Sequence, residues 1–92
     1  MTHITYVKKI LVDGSPCKKC KDVSDRLELD GLLDVIDQIA IADERDADSL
    51  GMRLAHKYQV TRAPFFLVED ESGTVDVYDV YFKFKKEVAD SL

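Results

Sequence analysis

The sequence is poor in several residue types and patterns that would indicate particular classes of protein. Its 92 residues include no tryptophan, two histidines and two cysteines. Two cysteines are a poor basis for the disulfide framework of a small secreted domain. No apolar run approaches the roughly 18 residues of a membrane span, and the first residues carry no secretory signal. We therefore expect a cytoplasmic protein with no membrane partner.

Basic residues are also fewer than acidic residues over the chain as a whole. Thirteen basic residues stand against 18 acidic ones, a formal net charge of −5. A broad phosphate-binding surface needs the opposite balance, so we expect no nucleic-acid partner. The lysines are unevenly placed, however, and Lys18, Lys19 and Lys21 crowd the two cysteines.

Apolar patterns and turn residues predict one domain, residues 1–92, in which strands and helices alternate. A helix is predicted after each of the first two strands, and the short link "ESG" makes the last two strands a hairpin. A further helix is expected in the tail. The order β-α-β-α-β-β predicts an α/β fold with a four-stranded mixed sheet, in the order 2-1-3-4, flanked by helices. The predicted strands are Ile4–Asp13, Leu32–Asp43, Phe65–Asp70 and Thr74–Phe82.

Three packing features are expected from these patterns. The second strand should bury Ile39 and Ile41 as part of its apolar core. Phe82 and Phe84 are most simply core residues. Gly51 costs about 1 kcal/mol against alanine inside a helix, which predicts a close approach of that helix to a neighbouring element.

Cys17 and Cys20 lie where the first strand gives way to the first helix. The first turn of a helix has unpaired N–H groups that stabilise negative charge, and the adjacent lysines act in the same direction. We therefore predict a pKa of Cys17 below its ordinary value of about 8.5. Cys20 lies one turn further, on the same helix face, and should be more covered. In this interpretation Cys17 attacks a disulfide and Cys20 then releases the product.

Other interpretations of the pair stay open. A closed zinc site needs four ligands, and His3 and His56 do not have the spacing of a zinc finger. The cysteines could also hold a metal or an iron–sulfur cluster between two protomers, with two ligands from each. A third hypothesis is a redox-sensing module whose partner binding depends on the disulfide. An inert buried pair fits poorly with two lysines between the cysteines.

With these motifs the chain resembles the thioredoxin-fold superfamily, in the glutaredoxin-like size range and over nearly its whole length. The match rests on Cys17-Lys18-Lys19-Cys20 after the first strand and on "LAHKYQVTRAPFFLV" from Leu54 to Val68. The resemblance implies a thioredoxin-like fold and a thiol–disulfide oxidoreductase in which Cys17 and Cys20 are catalytic. It further implies protein disulfide substrates and a reductase as partners.

The resemblance also assigns roles around the cysteines. It implies a cis peptide bond between Ala63 and Pro64, with Pro64 packed against the cysteine pair. The backbone of Ala63 would then pair with an extended substrate, a form of strand addition. Lys18 and Lys19 are candidate substrate contacts because the covalent chain fixes them beside Cys17.

The chain also departs from the family in ways that affect the expected cofactor. The tryptophan that precedes the first cysteine in thioredoxins is absent, and a Lys-Lys dipeptide separates the cysteines. The paired glycines that help glutaredoxins bind glutathione are missing as well, which argues against glutathione as the specific partner. We expect a monomer with no cofactor other than its own redox-active disulfide.

Overall fold

Helices and strands alternate along the chain in a computed structural model that describes residues 2–91. Short 3₁₀ turns lie at Leu33–Val35 and Ala89–Ser91. Within the described part of the chain, no helix is long and apolar enough to cross a membrane. The elements are β1 (His3–Ile10), α1 (Lys18–Leu29), β2 (Gln38–Asp43), α2 (Leu50–Lys57), β3 (Phe65–Glu69), β4 (Val75–Tyr78) and α3 (Tyr81–Glu87).

The four strands form one mixed sheet in the order β2-β1-β3-β4. β1 runs parallel to β2 and antiparallel to β3, and β4 is antiparallel to β3. Tyr6, in the middle of β1, pairs with Ile39 on one side and with Phe66 on the other. The predicted mixed sheet and its strand order are therefore confirmed.

Each face of the sheet buries its own apolar cluster. On the first face the cluster includes Leu27 of α1 and Phe84 of α3. The ring of Phe66 stacks there between Tyr6, at a centroid distance of 4.9 Å, and Phe84, at 4.0 Å. The second face is covered by α2 and holds a smaller cluster, made of Val7, Ala40, Ala42, Phe65 and Leu67.

The expected burial of Ile39 is wrong, and Ile41 is only half-buried. Ile39 is 53% exposed, whereas the alternate residues Ala40 and Ala42 are buried. β2 is an edge strand, and its alanines face α2, which comes so close that a Cβ at Gly51 would overlap the backbone of Ala42. Small side chains are needed at this contact, so the close approach predicted at Gly51 is confirmed. β2 is also shorter than predicted, since it begins only at Gln38.

The tail contains the predicted helix, but the helix begins earlier than expected. β4 ends at Tyr78 and α3 starts at Tyr81, so Phe82 lies in a helix and not in a strand. Residues two apart share a face in a strand but point to nearly opposite sides in a helix. Phe84 is therefore buried while Phe82 is 71% exposed, which corrects the expectation that both are core residues.

Candidate active site

The loop between β1 and α1 returns the chain to the end of β1. It is closed by backbone hydrogen bonds from Leu11 N–H to the Ser15 carbonyl and from Gly14 N–H to the Leu11 carbonyl, each 2.8 Å. Gly14 has a φ of +84°, a conformation that glycine adopts without steric cost. The carboxylate of Asp13 accepts hydrogen bonds from the N–H and hydroxyl of Ser15. This turn places Cys17 at the start of α1.

Cys17 is the N-cap residue of α1. Its backbone is extended, with φ −65° and ψ 127°, and its sulfur accepts a hydrogen bond from the N–H of Cys20 at 3.4 Å. A cap side chain ordinarily offers an oxygen to these unpaired N–H groups. Here the acceptor is a sulfur, so the start of the helix itself stabilises a Cys17 thiolate.

The backbone of Lys9, near the end of β1, contacts both cysteines. The Lys9 carbonyl accepts a hydrogen bond from the N–H of Cys17 at 3.2 Å. The Lys9 N–H donates to the sulfur of Cys20 at 3.3 Å. The Lys9 ammonium lies 3.4 Å from the carboxylate of Glu44, which follows β2. Our sequence reasoning missed Lys9, although two adjacent lysines inside an otherwise apolar strand were a visible signal.

The two thiols differ in their protonation. Cys20 is 3% exposed, and this burial raises its pKa to about 11, with a further contribution from the hydrogen bond to Cys17. Burial also raises the pKa of Cys17, but hydrogen bonds from Cys20 and from the backbone of Lys19, with the charge of Lys9, outweigh it. The net pKa of Cys17 lies below its ordinary value, as predicted. Cys17 is thus the thiol that ionises first.

The source of positive charge differs from the one we predicted. Lys18, Lys19 and Lys21 are exposed on the first turn of α1. The ammonium that lowers the pKa of both thiols is that of Lys9, on the neighbouring strand. Lys18 and Lys19 lie beside Cys17 as expected, and their role as substrate contacts stays a prediction.

A buried tyrosine of β1 bonds to α1 at Cys20. The hydroxyl of Tyr6 donates to the Cys20 carbonyl at 3.0 Å and lies 2.9 Å from the Ser24 hydroxyl. Tyr6 is 2% exposed, and its burial raises its pKa to about 12. It therefore remains a neutral donor through the physiological range. Neither Tyr6 nor Ser24 was singled out from the sequence.

The loop before β3 has the conformation that the resemblance implies. The Ala63–Pro64 bond is cis, and Pro64 is buried. Ala63 lines a small cavity together with Lys9, Thr61 and Arg62. Ala63 and Lys9 thus line the same cavity, and the backbone of Lys9 bonds to both cysteines. Direct packing of Pro64 on the cysteines stays a prediction.

The metal-binding hypotheses require ligands from elsewhere. In the part of the chain that the structure describes, no three histidine, cysteine or acidic side chains are grouped so that they could hold a metal ion. Cys17 and Cys20 are both free thiols and offer two sulfur ligands. A metal or cluster held by these sulfurs would need its remaining ligands from a second molecule.

No protein-family model matches the chain, and neither a curated protein nor a solved structure does.

Proposed function

We propose that the protein is a thiol–disulfide oxidoreductase with a thioredoxin-like fold. The observation that carries the proposal is the contrast between two free thiols one helical turn apart. Cys17 caps the helix, is partly exposed and has a lowered pKa. Cys20 is buried behind it with a pKa raised to about 11. An accessible thiolate backed by a protonated thiol is the arrangement that two-step disulfide exchange requires.

The reaction follows from the order in which the two thiols ionise. The Cys17 thiolate attacks one sulfur of a substrate disulfide, forming a mixed disulfide and releasing the first substrate thiolate, which takes up a proton. Cys20 then gives up its proton and attacks the Cys17 sulfur. A Cys17–Cys20 disulfide forms, the second substrate thiol leaves, and two electrons have passed from the protein to the substrate. A reductase of the dithiol class restores the thiols by the reverse exchange.

The surrounding residues have supporting roles in this proposal. The backbone of Ala63 pairs with an extended segment of the substrate, and Lys18 and Lys19 contact that substrate beside Cys17. The redox-active disulfide is the only cofactor, and protein disulfides and a reductase are the partners. The protein acts as a monomer in the cytoplasm, where dithiols are kept reduced.

Turnover and trapping test this function. Wild-type protein supplied with dithiothreitol should catalyse reduction of a protein disulfide such as that of insulin. Cys20→Ser cannot complete the second step, so it should accumulate a mixed disulfide with the substrate through Cys17, visible by mass spectrometry. Cys17→Ser is the matched control and should form no such adduct.

Two results would contradict the proposal. One is a wild-type protein that neither turns over nor traps a substrate. The other is a stoichiometric metal or iron–sulfur cluster in anaerobically purified protein that is lost in Cys17→Ser, since that would identify a carrier.

A further inference from the structure

A groove of about 350 Å³ lies between α1 and the β1–β2 edge of the sheet, beside Cys20. Its volume is within the range of about 300–1,000 Å³ that is typical of ligand sites. Pro16, which directly precedes Cys17, forms part of its wall, so the groove adjoins the proposed nucleophile. Its walls combine apolar side chains with lysines: Ile10, Pro16 and Ile41, and Lys8, Lys9 and Lys21.

The charge lining this groove is of one sign. Among the described residues that line it, none is acidic. Lys9 and Lys21 form salt bridges with Glu44 and Asp25, which lie outside the groove. Within residues 2–91, Lys8 has no salt-bridge partner.

Positive charge is also present on the two residues that follow Cys17. Lys18 and Lys19 are exposed, and in the described part of the chain they too form no salt bridge. Lys8, Lys18 and Lys19 thus place positive charge near the cysteine pair on a protein whose net charge is −5. An oppositely charged partner is attracted to this region although the protein as a whole repels it.

We propose that this groove binds an acidic segment of the substrate protein, next to the disulfide that Cys17 attacks. The inference rests on the function proposed above and specifies its substrate class. A carboxylate of the segment pairs with Lys8, and an apolar side chain of the same segment packs on Ile10 and Ile41. Complementary charge raises the rate of encounter more than it raises affinity, and added salt weakens it.

Two synthetic peptides test this preference. Both contain the same internal disulfide, preceded by Glu-Leu-Glu in one and by Gln-Leu-Gln in the other. Reduced protein is mixed with each peptide, and the second-order rate constant is divided by that for dithiothreitol, which corrects for the peptide's own reactivity. We expect the corrected rate to be roughly tenfold higher for the acidic peptide at low ionic strength. The ratio should fall towards one in ~0.5 M NaCl.

A matched pair of variants places the effect in the groove. Lys8→Gln should lower the ratio several-fold, whereas Lys86→Gln, an identical change of charge on the exposed side of α3, should keep the wild-type ratio. The salt dependence of wild-type protein needs no variant, so the test survives if Lys8→Gln fails to fold.

The results separate the two proposals. Equal corrected rates for the two peptides, or equal effects of Lys8→Gln and Lys86→Gln, would overturn the substrate preference and leave the oxidoreductase standing. Failure to reduce either peptide would count against the oxidoreductase itself.

Discussion

At the scale of single residues, Lys9 acts on the cysteine pair through both its backbone and the charge of its side chain. Its backbone bonds to both cysteines, and its side chain brings the positive charge that lowers the pKa of each thiol. The side chain of Lys9 is 29% exposed, and its ammonium pairs with the carboxylate of Glu44, which follows β2. Lys9 therefore bonds to the cysteines through its backbone and affects their pKa values through its side chain.

Replacing this charge should make Cys17 less reactive. Lys9→Met removes the ammonium but keeps the backbone contacts, so we expect the pKa of Cys17 to rise. A smaller thiolate fraction at neutral pH means slower alkylation by iodoacetamide. Trypsin cleaves after Lys18, which separates the peptide of Cys17 from that of Cys20, so mass spectrometry can follow Cys17 alone across a pH series.

The salt-bridge partner provides the control for this experiment. Glu44→Gln breaks the same salt bridge but leaves the ammonium, so the pKa of Cys17 should not rise. If both variants raise it equally, the ion pair matters through structure, and the direct effect of the Lys9 charge is refuted.

At the scale of elements, the contact between α2 and β2 depends on small residues from both sides. Gly51 of α2 lies against the backbone of Ile41 and Ala42, where no Cβ fits. This contact brings α2 onto the cluster that includes Val7, Phe65 and Leu67. The adjoining loop is anchored by a hydrogen bond from the Asp43 N–H to the Ser49 hydroxyl, 3.0 Å long.

Gly51→Ala should therefore destabilise the protein although alanine is the better helix former. The change gains about 1 kcal/mol in helix propensity, but overlap with the backbone of β2 forces α2 outwards. We expect a net loss of about 2 kcal/mol in the free energy of unfolding, measured by urea denaturation. Arg53→Ala, at an exposed position of the same helix, should change it by less than about 0.5 kcal/mol. A more stable Gly51→Ala would contradict the close approach.

Much of the secondary structure could be predicted from the sequence because local patterns determine it. The alternation of elements, the hairpin and the placement of Cys17 at a helix start all follow from periodicity and turn residues. The errors at Ile39 and Phe82 arose where tertiary placement decides burial. An edge strand leaves one face uncovered, and a shift of the strand–helix boundary turns Phe82 outwards. The role of Lys9 could not be predicted because its contacts with the cysteines depend on how the loop folds back onto β1.

At the scale of the whole molecule, the sheet divides the apolar core into two clusters that share its central strands. β1 and β3 have a hydrogen-bonded strand on each side and contribute buried residues to both clusters. β2 and β4 are edge strands, and Val77 of β4 is 40% exposed. The β1–β3 pair should therefore be the part of the fold that opens least readily, and β1 ends at the cysteine site.

Hydrogen exchange should show this division. We expect the slowest-exchanging amides in the middle of β1 and β3, since opening them requires disruption of both clusters. Amides of β4 should exchange faster, through local opening of the edge. Exchange measured by NMR on the reduced protein checks the order, and protection of β4 equal to that of β1 would show that the sheet opens only as a whole.

The separate roles of the backbone and the side chain of Lys9 have a practical consequence for protein engineering. Both of its contacts with the cysteines use backbone atoms, which every residue except proline can supply. A series of substitutions at this one position, from cationic through neutral to anionic, would vary the electric field at the thiols while the hydrogen-bond frame stays the same. Position 9 is thus where graded variants of thiol reactivity can be made without redesigning the fold.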